Sequence, residues 1–420
     1  MPASNPSSLR AAFENQDEVF SSAFSILREA IIQKAFPAAA VAITHRGTLI
    51  ALKALGHFTY DEGTPSLSSR PLRDRACPEQ SRSGGDFDLD STMSDGGAPF
   101  LASFARSGDF AVNPSTLFDL ASLTKVVATT PMAILLYERG LLDLDAPLAA
   151  IVPEFTRDAE KDPRRHEVTI RMLLSHSSGL PAYEKLFLKA PTRDQLLKAA
   201  FTTPLTADPA TRAAYSDIGF ILLGVALERL ADEPLDRFCQ REIFAPLAMT
   251  NTTFNPPTEI RAQIPPTAND QNFRRRIIQG EAQDENASVL GGVASHAGLF
   301  STAHDLAKFA HAMLQDGRPI LRPETVALFT RRESAPPGTS RALGWDTPSA
   351  PSQSGKYFSP QSFGHLGYTG TSLWIDPQRQ LSIILLTNRT WPDCSNDAIK
   401  KIRPQFHDAV IEALNATGEH

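Results

Sequence analysis

In the stretch Asp119-Leu120-Ala121-Ser122-Leu123-Thr124-Lys125, a serine stands three residues before a lysine. On a helix, positions i and i+3 share a face, so the Ser122 hydroxyl and the Lys125 amine can meet. The stretch reads as the first turn of a long apolar helix. The positive end of such a helix favours an alkoxide and an amine that has lost its proton. That combination makes a nucleophile of a weak alcohol. Ser-x-x-Lys is a short pattern, and a chain of 420 residues holds about one by chance. This chain holds only this one, so function requires partners elsewhere.

Two further stretches supply candidates. Tyr215-Ser216-Asp217 opens an apolar helical run. A phenol near a lysine ammonium loses its proton more easily and can act as general base. The plain alternative is a tyrosine that anchors a loop, with Ser216 or Asp217 as N-cap. His365-Leu366-Gly367-Tyr368-Thr369-Gly370 follows a short strand. There His365 faces cleft or solvent, and Gly367 would let a substrate backbone approach. The Tyr368 backbone N–H could then pair with that of Ser122 as an oxyanion hole. The plain alternative is a glycine-rich strand connection.

In this order the three motifs are similar to the set found in β-lactamases and penicillin-binding proteins. The chain resembles that superfamily, in the branch shared by class C β-lactamases, D-peptidases and related esterases. Ser122-Leu123-Thr124-Lys125 matches the nucleophile motif, Tyr215-Ser216-Asp217 the Tyr-x-Asn motif and His365-Leu366-Gly367 the Lys-Thr-Gly motif. Leu174-Ser175-His176-Ser177-Ser178-Gly179-Leu180-Pro181 and Gly298-Leu299-Phe300-Ser301-Thr302 also match. The resemblance implies that Ser122 attacks a carbonyl and becomes acylated. Lys125 and Tyr215 share the proton work, with the base in each step left open. The N–H groups of Ser122 and Tyr368 hold the oxyanion, and water releases the acyl group. No metal or organic cofactor is implied. The substrate is a small-molecule ester, amide or D-peptide.

Two departures redirect the substrate expectation. Asp217 replaces the family's usual Asn, so an amide donor becomes an acceptor whose charge can pair with Lys125. His365 replaces the lysine that helps receive a β-lactam carboxylate, and a neutral imidazole does that less well near pH 7. The resemblance associates His here with esterases and D-aminopeptidases. The expectation is a hydrolase of an ester or D-amino-acid amide, with β-lactamase or D-alanyl-D-alanine carboxypeptidase as the alternative. A catalytically inactive scaffold or peptide-binding protein on the same fold is the alternative from another class. Of the remaining histidines, His296 lies in a glycine-rich loop and is a candidate substrate contact. His176 reads as ordering its turn, and His304 and His311 read as surface residues without a carboxylate cluster to make a metal site.

The elements that must position these residues follow from periodicity. Residues 9–34 read as an amphipathic helix, with Phe13, Phe20, Phe24, Leu27 and Ile31 at helical spacing. Ala38 to Thr44 and Thr48 to Leu55 read as a β-hairpin. Helices are expected over 121–138, stopping at Gly140 and kinked or shifted by Pro131, and over 169–174, 193–201, 215–230, 234–243 and 302–314. From 170 to 314 almost only helices and loops are expected. Strands are expected at 342–345, 362–365, 371–375 and 381–387, and a last helix at 395–414. The fold class is α/β (α+β): an antiparallel sheet flanked by helices, with an inserted all-helical domain. The sheet domain would comprise 9–60 and 335–420. Residues 61–110, rich in Gly, Ser, Pro, Asp and Arg, read as a disordered or loosely ordered insertion. Residues 111–334 would form the mainly helical domain that carries the nucleophile.

Composition bounds the partners. A formal net charge of -6, with 42% hydrophobic and 21% charged residues, is that of an ordinary globular protein and gives no reason to expect nucleic acid. Three widely separated cysteines show no metal-ligand spacing. No run is long enough to span a membrane, and no secretory signal is visible, so the expectation is cytoplasmic as written and periplasmic if the true start lies upstream. Oligomeric state is not legible.

Overall fold

The computed structural model describes residues 9–60, 111–157 and 160–417. The segment 61–110 lies outside the described residues. The centre is a six-stranded sheet whose order is Arg10–Ala11, Thr48–Gly56, Ala38–His45, Leu381–Thr387, Ser372–Asp376 and Phe363–Leu366. The two ends of the chain thus share one sheet, joined where Val41 faces Leu385. All neighbours are antiparallel except Arg10–Ala11, which runs parallel to Thr48–Leu49, so the sheet is mixed.

Helices cover both faces of this sheet, which is why Ala38–His45 and Leu381–Thr387 are buried at every position. Alternate residues serve different cores. Ala40, Ala42, Ile384 and Leu386 face a core shared with Leu306 and Ala310 of helix Ala303–Leu314. Val41, Ile43, Ile383 and Leu385 face helices Ser21–Ile32 and Ile399–Ala416 through Phe24, Leu27, Phe406 and Val410. Helix Ala303–Leu314 comes from the 111–334 segment yet packs on the sheet.

Several elements depart from expectation. The N-terminal helix begins at Gln16 rather than 9 and breaks between Gln16–Val19 and Ser21–Ile32. Leu9 and Phe13 pack in one core and Phe20, Phe24 and Leu27 in the other, on the opposite face of the sheet. The chain must cross the sheet edge between them, which one continuous helix cannot do. The stretch 342–345 makes a tight turn instead of a strand: Ala342 N–H donates to Trp345 O, and Gly344 has φ +86°. A Cβ on Gly344 would collide with Thr130. The 170–314 region also holds four short strands. Leu299–Ser301 pairs with Phe118–Asp119 on one side and Thr253–Phe254 on the other in a small sheet, and Ala268–Asp270 pairs with Arg276–Ile278. His311 is buried against the sheet rather than on the surface.

Candidate active site

The nucleophile segment is held by its neighbours more than by helix propensity. Leu120 N–H donates to Leu299 O, closing the small sheet beside it. Ala121 then takes φ +47°, a left-handed conformation that costs a non-glycine residue about 1–2 kcal/mol. Its N–H donates to Asp119 Oδ1 at 2.8 Å, while Asp119 Oδ2 accepts from Gln283 N–H at 2.7 Å. Burial pushes the Asp119 carboxyl up to about 6, and those two donors oppose it. Thr124 Oγ1 donates to Ala121 O and accepts from Leu299 N–H. The strained turn is therefore clamped from both sides and presents half-buried Ser122.

The helix expected over 121–138, kinked or shifted by Pro131, is three pieces and its regular part starts at Thr130. Ala121–Leu123 is a 3₁₀ turn, Lys125–Thr129 a π-turn, and Thr130–Glu138 the regular helix. Pro131 has no N–H to give to the carbonyl four residues back. The chain widens ahead of it, and Thr130 N–H reaches five residues back to Lys125 O. Ser122 and Lys125 nevertheless share a face: Lys125 Nζ lies 3.0 Å from Ser122 Oγ.

Lys125 is fully buried and meets three acceptors: Ser122 Oγ, Asp217 Oδ1 at 2.6 Å and the His296 carbonyl at 2.8 Å. Burial pulls its pKa below the usual amine value, and the Asp217 ion pair opposes that pull. Tyr215 Oη lies 2.6 Å from Ser122 Oγ and 2.9 Å from Asp217 Oδ1. Burial, reinforced by the Asp217 charge, pushes the phenol well above its ordinary value. Ser216 caps helix Asp217–Ala231 by accepting from Gly219 N–H, which points Asp217 inward and Tyr215 back at the serine. His176, expected to order its own turn, also holds this one: its Nδ1 accepts from Ser216 N–H at 3.0 Å.

The third motif is stitched to the nucleophile turn. Thr369 Oγ1 donates to Asp119 O at 2.7 Å and Thr371 Oγ1 to Leu120 O at 3.0 Å. A Cβ on Gly367 would strike Leu120 O, so this glycine lets the protein's own backbone approach. Tyr368 is thereby brought beside the Ser122 turn, its ring beneath the Arg389 guanidinium at 4.6 Å. His365 sits with its ring 6.0 Å from that of Tyr215 and donates from Nδ1 to Leu366 O at 2.7 Å. Burial, then the charges of Lys125 and Arg341, push its pKa well below the usual value and keep it neutral.

His296 departs from its expected role. Its ring is 1% exposed and bonds through Nε2 to Asp284 Oδ1 at 2.9 Å. It contributes to the site through its backbone carbonyl, which holds Lys125. Burial pushes Asp284 up, but His296, the Ala287 N–H and Lys125 together outweigh that and hold the carboxylate below its ordinary range. Asp119, Asp284 and Arg341 are the residues sequence reading passed over. Arg341 places its guanidinium 5.7 Å from the Tyr215 ring centre and 3.5 Å from Asp346. Asp119 opened the quoted stretch, which was its only signal. Among the described residues no cluster of three or more His, Cys, Asp or Glu could hold a metal, and no helix is long and apolar enough to cross a membrane.

An activated serine flanked by a buried lysine and a tyrosine is the equipment for acyl transfer. Comparison with known proteins agrees with this geometry. A family model described as Beta-lactamase matches residues 10–403. The chain is 34% identical over 303 residues, 65% of its length and 69% of the relative's, to an Escherichia coli (strain K12) protein named "Putative D-alanyl-D-alanine carboxypeptidase". Its fold is similar to that of EstCE1, described as a hydrolase with promiscuous acyltransferase activity, with TM-score 0.67 at 20% identity over 94% of this chain and 99% of that one. It is similar also to a mutant of simvastatin synthase (LovD) from Aspergillus terreus, with TM-score 0.66 at 19% identity over 96% and 97%. The sequence matches and the shared architecture together place this chain in the beta-lactamase family of serine hydrolases, in its class C-like branch.

Proposed function

We propose that the protein hydrolyses an ester or a D-amino-acid amide or peptide bond through an acyl-Ser122 intermediate. The observation that carries this reading is the contact of Ser122 Oγ with both Tyr215 Oη at 2.6 Å and Lys125 Nζ at 3.0 Å. Ser122 attacks the carbonyl carbon, its proton leaves on the side of Tyr215 while Lys125 holds Oγ in place, and the backbone N–H groups of Ser122 and Tyr368 receive the oxyanion. The leaving group departs with a proton, and water repeats the sequence to free the acid.

At the position of His365 the surroundings work against a penicillin. His365 is neutral and buried, so it offers a carboxylate no charge. Arg341 is a second cation beside Tyr215, after the buried Lys125, and it pairs with Asp346 at 3.5 Å. That arrangement supports a D-peptide with a free carboxylate at the cleft mouth, in keeping with the name given to the E. coli relative. The test is a side-by-side panel of short and long p-nitrophenyl esters, nitrocefin and D-alanyl peptides. Turnover of an ester or D-peptide exceeding that of nitrocefin by about 100-fold or more in kcat/KM is expected. Nitrocefin as the best substrate would overturn the substrate reading, and no turnover of any by folded protein would favour an inactive scaffold.

A further inference from the structure

We propose that Asp217 is the terminal proton acceptor of this site: the Ser122 proton passes to Tyr215 Oη as the Tyr215 proton passes to Asp217 Oδ1, while Lys125 remains an ammonium throughout. This rests on the acyl-serine reading above and assigns its protons.

The inference comes from counting donors and acceptors. An ammonium has three N–H groups, and Lys125 Nζ has three acceptors at 2.6, 2.8 and 3.0 Å: Asp217 Oδ1, His296 O and Ser122 Oγ. With the ammonium donating to Ser122 Oγ, the serine O–H has Tyr215 Oη at 2.6 Å as its acceptor. Tyr215 Oη, already accepting, turns its own O–H to Asp217 Oδ1 at 2.9 Å. Every proton is placed, and the line Ser122, Tyr215, Asp217 runs in one direction. A neutral amine in place of the ammonium would leave Asp217, whose side chain is 8% exposed, without its partner among the described ion pairs. The ring faces around Nζ also suit a cation: Tyr215 lies 4.9 Å and Phe220 5.4 Å away.

A carboxylate here works against a tyrosinate base and for a hydroxyl relay. Its charge adds to burial in holding the Tyr215 proton on oxygen. The same charge makes Asp217 a better resting place for the proton than an asparagine amide, which has the same shape and negligible basicity. The groups facing this line are Lys125 from the π-turn, Tyr183, Asp284 at the start of helix Glu285–Val289, and Arg341. His176 and His365 flank Tyr215 and are held neutral.

The step balances. The Ser122 Oγ lone pair forms the bond to the carbonyl carbon, and the carbonyl π pair moves to its oxygen. The Oγ proton goes to Tyr215 Oη and the tyrosine proton to Asp217. On collapse the bond to the leaving group breaks, and the relay runs backwards: Asp217 returns its proton to Tyr215, and Tyr215 gives one to the leaving group. Deacylation repeats this with water in place of Ser122.

The test is the rate at which an alkyl fluorophosphonate labels the full chain, for wild type, Asp217→Asn and Ser122→Ala, from pH 5 to 10 and in mixtures of H₂O and D₂O. Wild type is expected to show a bowed proton inventory, because two protons move together. Asp217→Asn keeps the shape of the site, so circular dichroism stays unchanged. Its labelling at pH 7 falls by about tenfold or more and its inventory becomes straight, because the second proton no longer has an acceptor. A straight inventory in wild type overturns the relay whatever the variant does. So does Asp217→Asn labelling at the wild-type rate with the wild-type pH profile. Labelling of Ser122→Ala at the wild-type rate overturns the acyl-serine reading itself, and the relay with it.

Discussion

Replacing Lys125 by methionine tests whether the lysine is a buried cation. Methionine is unbranched and similar in length, so it refills the space with little cavity. What it removes is charge from a fully buried position whose Nζ meets Asp217 Oδ1 at 2.6 Å. Breaking a buried ion pair by deleting one partner costs about 3–5 kcal/mol, because the other charge is left uncompensated. Asp217 keeps one donor, Tyr215 Oη at 2.9 Å, while the His296 carbonyl loses its Lys125 donor. The expected loss is therefore about 3–5 kcal/mol in urea unfolding at pH 7. Adding Asp217→Asn removes the orphaned charge, so the double variant should recover about 2 kcal/mol or more of that loss. Lys125→Met within about 1 kcal/mol of wild type, or a double variant equal to the sum of its singles, would refute the charged-pair reasoning.

Three other outcomes follow from single contacts. Ala121→Gly relieves a left-handed alanine at φ +47°; the strain relieved and the glycine entropy nearly offset, leaving stability within about 1 kcal/mol of wild type, whereas Ala121→Val should lose about 2 kcal/mol or more. Thermal melts of both compare them. Asp284 is held below its ordinary range chiefly by His296, so it contributes stability above the unfolded carboxylate value, near pH 4, that is lost as pH falls through the folded value. Asp284→Asn should be less stable than wild type at pH 7, with the gap closing toward pH 2; a gap constant with pH would contradict the pairing. Arg341→Gln should raise KM about tenfold or more for a D-alanyl peptide with a free carboxylate and leave a neutral p-nitrophenyl ester unchanged. Equal effects on both substrates would remove Arg341 from carboxylate binding.

Much of the site was legible because its chemistry sits in short motifs. The three-residue spacing of Ser122 and Lys125 showed that they could meet, and Tyr215-Ser216-Asp217 carries its own N-cap, which aims both flanking side chains. The exchange of an asparagine for Asp217 foretold the ion pair with Lys125. The hairpin and the terminal strands were legible from their apolar runs, and burial on both faces explains why Ala38–His45 and Leu381–Thr387 lack alternation. Contacts between distant segments were not legible. Asp119 meets Gln283, Asp284 meets His296 and Arg341 meets the Tyr215 ring, and an isolated charged residue leaves no periodic trace of such partners. The N-terminal helix was overextended for a related reason. Helical spacing shows which residues are apolar, but not that Phe13 and Phe20 belong to cores on opposite faces of one sheet.

The central claim is that Ser122 is the residue acylated. Intact-protein mass spectrometry after brief reaction with p-nitrophenyl acetate at mildly acidic pH, followed by peptide mapping, tests it most directly. The account predicts one acetyl adduct, on the peptide containing Ser122, absent from Ser122→Ala and formed far more slowly by Tyr215→Phe. An adduct of equal yield in Ser122→Ala, or one mapped to another residue, would contradict it.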